Sequence, residues 1–186
     1  MPLIFETAFC PQSKLWVWEV GEELHPELTS ASKQRLQGMK KAESRACFLA
    51  IRHLLERAGY SDADIKYTEA GKPYLKDGVH VSISHSENRA ALYLGKVPAG
   101  IDLQKILQEK IQRAAYLFSE GGTAEELTLE WAIKEAVFKL SESLPLDFKK
   151  DIQIENGKVS STFLGWERDF AVEYWLLDAF YLVRVT

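Results

Sequence analysis

The stretch Val79-His80-Val81-Ser82-Ile83-Ser84-His85 alternates apolar and polar side chains, and this constrains the fold more than any other feature of the chain. Successive side chains of a strand point to opposite faces, so a period of two makes a strand with one apolar face. Ser86-Glu87-Asn88 supplies turn residues, and Ala90 to Leu94 is a second short apolar run, so the two can close a hairpin. Antiparallel sheets with segregated helices fit this pattern better than an alternating strand–helix repeat around a parallel sheet.

The flanking segments carry other periods. Leu15 to Val20 reads as a strand, and residues 21–30, polar and containing Pro26, read as a loop. From Lys33 to Gly59 the pattern predicts one helix, with Ser30 as a cap before it and Gly59 closing it. Its apolar face takes Leu36, Met39, Ala46, Leu49, Ile51, Leu54 and Leu55. Ile65–Tyr67 is a strand candidate, and Ala70 to Tyr74 punctuates the chain. After a break at Lys96–Pro98, Ala99 to Leu103 resembles a strand ending in a carboxylate, and Ile106 to Phe118 looks helical. Gly121-Gly122 breaks that helix, and a further one is expected from Thr128 to Leu144, ended by Pro145. Strands follow at 149–155, 159–165 and 169–175, the last open to a hairpin with 178–185, and Asn156-Gly157 marks a turn between the first two. Strand, helix, strands thus occur twice. The expectation is an α+β chain of two similar halves, 1–98 and 99–186.

Composition narrows the function. With 23 Lys+Arg against 27 Asp+Glu the net charge is -4, and no basic stripe is visible, which argues against duplex nucleic acid as a partner. The apolar share of 46% is enough for a true core. Cys10 and Cys47 lack metal-ligand spacing, and Cys47 reads as a small buried hydrophobe. The opening MPLIFETAFCPQSKLWVWEV has no basic region followed by an apolar run, and no stretch approaches a membrane span. A soluble, cytoplasmic protein with no membrane partner is expected.

Few side chains suggest chemistry alone. Asp102, inside an apolar run after Gly100, is either a strand-end residue capping an amide or an oxygen ligand for a hard cation. Glu135 lies four residues from both Trp131 and Lys139 on a predicted helix. Glu135 and Lys139 either form a solvated i,i+4 pair worth about 0.3–0.5 kcal/mol or line a stripe that holds metal and phosphate. Lys72, between Gly71 and Pro73, is a solvated turn lysine or one aimed at phosphate oxygens, though no Walker loop is present. Arg45 and Arg52, seven apart on the first helix, make a basic face or grip a terminal phosphate. Ser84 and His85 do not read as a hydrolytic pair, because strand neighbours point apart and no GxSxG elbow is present. As hydrogen-bond donors to phosphate they make better sense.

Taken together, Gly71-Lys72-Pro73, Val81-Ser82-Ile83-Ser84-His85-Ser86, Gly100-Ile101-Asp102-Leu103 and Trp131-Ala132-Ile133-Lys134-Glu135-Ala136-Val137-Phe138-Lys139 resemble the 4'-phosphopantetheinyl transferases, of the longer surfactin-synthetase-activating type. The motifs span residues 71–139, and the resemblance weakens towards both ends of the chain. It implies two pseudo-duplicated α+β halves, each with a helix on an antiparallel sheet, and coenzyme A bound between them. The implied activity is Mg²⁺-dependent transfer of the phosphopantetheine arm to a serine of an apo acyl or peptidyl carrier protein. The other product is adenosine 3',5'-bisphosphate. Asp102 and Glu135 would bind Mg²⁺, and Glu135 is also the best candidate for the base. Lys139 would lie near the transferred phosphate. Lys72, His85 and Ser84 would contact coenzyme A, as would Arg45 or Arg52, and Lys134 would add charge near the pyrophosphate or the carrier serine. Trp131 would sit close to the active face.

The family often has a glutamate two places after the aspartate, where this chain has Gln104. An amide oxygen can coordinate the metal or hold a metal-bound water, but it cannot serve as a carboxylate base. A monomer is expected, because two halves in one chain supply the cleft without another subunit. A noncatalytic or weakened relative that binds coenzyme A or a carrier, and another nucleotide-phosphate enzyme such as a hydrolase, are the alternative readings.

Overall fold

The computed structural model describes residues 3–10, 12–21, 23–106, 108–141, 144–155, 157–163 and 166–186. The chain is α+β, with antiparallel strand pairings, and it forms two compact units, Met1–Pro98 and Ala99–Thr186.

The first unit contains β1 (Leu3–Cys10), β2 (Ser13–Glu19), α1 (Ser30–Gly38), α2 (Ala42–Arg57), β3 (Ile65–Tyr67), β4 (Pro73–Leu75), β5 (His80–Ser86) and β6 (Arg89–Gly95). Its main sheet runs β1-β2-β6-β5, and β3 and β4 pair separately. The expected hairpin forms between β5 and β6, with Val81 opposite Leu94 and Ser84 opposite Ala91. β1 was not anticipated, and Pro73–Leu75 is a short strand rather than simple punctuation.

The single helix expected from Lys33 to Gly59 is two. The backbone is extended at Met39 and Lys41, the cap positions between them. The reason lies in burial. Cys47, Ala50, Ile51, Leu54 and Leu55 on α2 pack against Trp16, Trp18, Ala90 and Leu92, whereas α1 buries only Ser32. With no apolar stripe to hold it to the sheet, the chain has nothing to gain from a continuous helix through Gly38. Thr29 rather than Ser30 is the N-cap of α1, and its Oγ1 accepts from the Ser32 amide at 3.3 Å. Gly59, at φ +88°, ends α2 as expected.

The second unit contains β7 (Gly100–Lys105), α3 (Gln108–Ala114), a 3-10 turn (Ala115–Leu117), α4 (Ala124–Leu140), β8 (Ile152–Glu155), β9 (Lys158–Phe163), β10 (Trp166–Phe170), β11 (Val172–Leu177) and β12 (Phe180–Val185). Two sheets result, β7-β12-β11 and β8-β9-β10. α4 starts earlier than its apolar period predicts, because Thr123 and Glu126 form a reciprocal capping box. The expected strand at 169–175 is divided. Phe170 belongs to β10 and Val172 to β11, while Ala171 exchanges backbone hydrogen bonds with Thr186 at 3.0 Å. The strand expected from residue 149 starts only at Ile152, because Asp147 caps the amides of Lys149 and Lys150 in the preceding turn. Asn156 of the predicted turn, the Cys10 side chain, Leu107, Glu142, Ser143, Leu164 and Gly165 lie outside what is described.

One strand order recurs in both units. β2 pairs with β6, which pairs with β5; β7 pairs with β12, which pairs with β11. A long helix, α2 or α4, lies between the first and last strands of each set in the chain. The helix-facing residues differ. In β2 they include Trp16 and Trp18, which join the core under α2. In β7 the row that begins with the glycine under α4 is Gly100, Asp102 and Gln104. An aspartate therefore occupies a row that its counterpart fills with tryptophan.

Candidate active site

The site is built by one close approach. A Cβ on Gly100 would lie 1.9 Å from the Ala136 carbonyl oxygen and 2.9 Å from the Leu140 amide nitrogen. Only glycine lets α4 sit this close to β7. Asp102, two residues along, shares that face, and α4 brings Glu135 and Lys139 alongside it.

Lys139 Nζ donates to Asp102 Oδ1 at 2.7 Å and to the Ile101 carbonyl at 3.0 Å. Lys139 thus pairs with Asp102 across 37 residues of sequence, where the sequence had offered Glu135, four residues away, as its partner. Burial pushes the Glu135 carboxyl above its ordinary range, the nearby Asp102 charge pushes it further, and Lys139 opposes both. Asp102 is only 5% exposed. Two carboxylates and an ammonium thus share one partly dry place, where charges interact more strongly than in water. The strand pairs Gln104 with Tyr181 and Asp102 with Val183, which keeps the amide on the same side as the aspartate.

This donor set fits a magnesium ion. Mg²⁺ takes one or two carboxylates and completes its shell with waters and substrate phosphates. Asp102 and Glu135 would supply the carboxylates, and a divalent cation beside them would relieve the mutual repulsion that adds to burial in raising Glu135. No group of three or more His, Cys, Asp or Glu side chains converges among the described residues, so protein carboxylates alone do not build a full cage.

Two residues of the α4 motif act elsewhere. Lys134 is buried, with Nζ donating to the Phe118 carbonyl at 2.6 Å and paired with Glu130 at 2.9 Å. Glu130 also accepts from Ser119 Oγ at 2.6 Å. Lys134, offered by the sequence as a phosphate or carrier contact, here fastens the segment after α3 to α4. The ammonium is already neutralised where burial would make an unpaired charge costly. Trp131 packs on Phe118 and Phe148, with ring centroids 5.1 and 5.4 Å apart, and braces the helix that carries Glu135.

In the first unit, Arg52 is also committed. Its Nε donates to Asp62 Oδ1 at 2.5 Å, Nη2 reaches the Tyr67 hydroxyl at 3.2 Å, and the guanidinium lies 4.2 Å from the Phe48 ring centroid. Asp62 also accepts from the Thr29 amide and hydroxyl and from Ser32 Oγ. This buried network joins α1, α2 and the turn before β3, and it holds Arg52, a candidate phosphate contact from the sequence, on Asp62. Arg45, by contrast, is exposed and lines a groove of about 290 Å³ with Lys40, Glu23 and Leu24. Lys72 closes the β3–β4 turn, where its carbonyl accepts from the Thr68 amide at 2.9 Å and its side chain is half-buried. Ser84 is buried on the sheet face away from α2, and His85, next along β5, points to the other face and is exposed. That opposition removes a Ser84–His85 catalytic pair.

Asp62, Ser119 and Glu130 were not singled out from the sequence. The i,i+4 spacing of Glu130 and Lys134 was a usable signal, but nothing local announces Asp62 as the partner of Arg52. Burial disfavours the Asp62 charge, but the hydrogen bonds from Thr29, Ser32 and Arg52 outweigh it and hold the carboxyl below its ordinary 3.8. The resulting stability is fully present above pH 3.8 and is lost as pH falls through the lowered value. Arg52→Ala is expected to cost about 3–5 kcal/mol, because it strands a buried carboxylate. Urea unfolding of the whole chain followed by circular dichroism, at pH 7 and in acid, measures both effects. A cost below 1 kcal/mol at pH 7, by the same scale for buried pairs, would remove the network's structural role.

No family model matches the chain, and no curated protein matches it. No helix among the described residues is long and apolar enough to cross a membrane.

Proposed function

We propose that this protein is a Mg²⁺-dependent 4'-phosphopantetheinyl transferase acting on coenzyme A and an apo acyl or peptidyl carrier protein. The observation that carries this reading is the meeting of Asp102, Glu135 and Lys139. The segments that resemble the family, GID and WAIKEAVFK, bring Asp102, Glu135 and Lys139 to one place through the contact at Gly100.

In this reading the carrier serine oxygen bonds to the β-phosphorus of coenzyme A. The bond from that phosphorus to the bridging oxygen breaks, and adenosine 3',5'-bisphosphate leaves. Mg²⁺, when bound, polarises the pyrophosphate oxygens and offsets their charge. Asp102 and Glu135 would hold the ion. Glu135, through a carboxylate oxygen not bound to the ion, takes the serine proton directly or through water. Lys139 offsets charge on the departing bisphosphate. Lys72, His85, Ser84 and Arg45 serve coenzyme A, on the strength of the resemblance alone. The enzyme is placed in the cytoplasm and acts as a monomer.

The test is transfer of labelled phosphopantetheine from coenzyme A to apo carriers of fatty-acid, polyketide and peptide synthesis, with and without Mg²⁺. Label on at least one carrier, only when Mg²⁺ is present, is the expected result. Coenzyme A binding without transfer to any carrier would favour the noncatalytic alternative, to which Gln104 lends some weight. Coenzyme A cleaved without any carrier would favour a hydrolase.

A further inference from the structure

The contact that makes the site also gives Asp102 a resident cation, held on one of its two carboxylate oxygens. Lys139 occupies Asp102 Oδ1 at 2.7 Å and is anchored by the Ile101 carbonyl at 3.0 Å. The pair is sheltered, with side chains 26% and 7% exposed for Lys139 and Asp102. Gln104, on the same face, brings no charge of its own. Asp102, Glu135 and Lys139 together carry a single net negative charge, and a divalent ion approaching them must compete with a resident cation.

A polyanion changes this balance. The lysine ammonium is a compact charge on a flexible four-carbon stem, with three donors that can be re-aimed. A pyrophosphate entering beside Asp102 gives the ammonium another anion to neutralise, and Asp102 Oδ1 is released, so that the whole carboxylate faces the metal. We propose that Lys139 is the resident counter-ion of Asp102 and makes metal entry conditional on a pyrophosphate-bearing ligand, to which its ammonium transfers. Lys139 is in this sense a positioning residue, setting the order in which the site fills. The identity of the ligand as coenzyme A rests on the function proposed above; the counter-ion role rests on the Asp102–Lys139 geometry.

Thermodynamic linkage makes the idea measurable, because coupling between metal and ligand must be equal in both directions. Mn²⁺ binding to the 186-residue chain is followed by electron paramagnetic resonance, with and without coenzyme A. The native protein is expected to bind Mn²⁺ weakly alone and about 5–150-fold more tightly with coenzyme A. Lys139→Gln is expected to bind Mn²⁺ more tightly alone, with the coupling factor reduced to what direct chelation by coenzyme A supplies. Lys139→Arg, which keeps the charge, is expected to restore the native pattern. A purely structural lysine would not produce this split. Native affinity and a native coupling factor in folded Lys139→Gln would overturn the proposal. Should that variant not fold, equal Mn²⁺ affinity with and without coenzyme A in the native protein would also overturn it. So would native Mn²⁺ binding by Asp102→Asn, which would put the ion elsewhere. These measurements need no carrier protein. An absence of transfer therefore counts against the proposed function, and an unchanged Mn²⁺ pattern counts against the counter-ion.

Discussion

Asp102→Ala and Glu135→Ala are each expected to lower Mg²⁺-dependent phosphopantetheine transfer by about 10²–10³-fold or more, the scale on which loss of one charge-stabilising group acts. Each variant removes half of the carboxylate set, and Gln104 has no charge with which to replace it. The fold should survive in both. Lys139, left without Asp102, is 26% exposed and can hydrate. Glu135 is only half-buried, and losing it removes a carboxylate whose ionised form burial and Asp102 disfavour. Circular dichroism and urea unfolding should therefore stay near the native profile while transfer collapses. Asp102→Asn and Glu135→Gln, which keep shape and remove charge, should repeat the loss. Native transfer rates in both alanine variants at saturating Mg²⁺ would sink the metal assignment.

Gly100→Ala is expected to give the largest loss of stability from one added methyl group. The new Cβ would lie 1.9 Å from the Ala136 carbonyl oxygen and 2.9 Å from both the Ala136 carbonyl carbon and the Leu140 amide nitrogen. These are helix backbone atoms, so no side chain can swing aside, and α4 itself must retreat from β7. The cost is put at about 3 kcal/mol or more, the upper end of over-packing. Ala132, Ala136, Val137 and Leu140 would lose contact with Val183 and Val185 in the same core. Lys139 and Glu135 ride on that helix, so transfer should also fall by more than the unfolded fraction explains. Gly38→Ala is the control, because nothing lies within 4 Å of a Cβ there. The pair is compared by urea unfolding and transfer rate. A Gly100→Ala protein with native stability would show that α4 and β7 are not held at this separation.

What is legible in the sequence follows the range of the interactions. The β5–β6 hairpin, β2, β7 and the end of α2 at Gly59 depend on neighbours a few residues apart, and periodicity located them. The break after Gly38 was missed because helical period persists through Leu36 and Met39, and only the sheet shows that α1 has nothing apolar to cover. The early start of α4 was available in Thr123 and Glu126, three residues apart, but the apolar period drew attention to Thr128 instead.

The same division runs through the site. The sequence by itself determined which residues are candidates, because Asp102 after Gly100 and the Trp131–Lys139 stripe are local patterns with local chemistry. It could not decide what each one touches. Lys134 and Lys139 are five apart on one helix; one is spent on Phe118 and Glu130, the other on Asp102. Arg45 and Arg52 share a predicted face, but Asp62 takes one and leaves the other exposed. Only tertiary structure settles such choices. A charged side chain is placed by whichever opposite charge the folded backbone brings within about 3 Å, and sequence distance does not measure that.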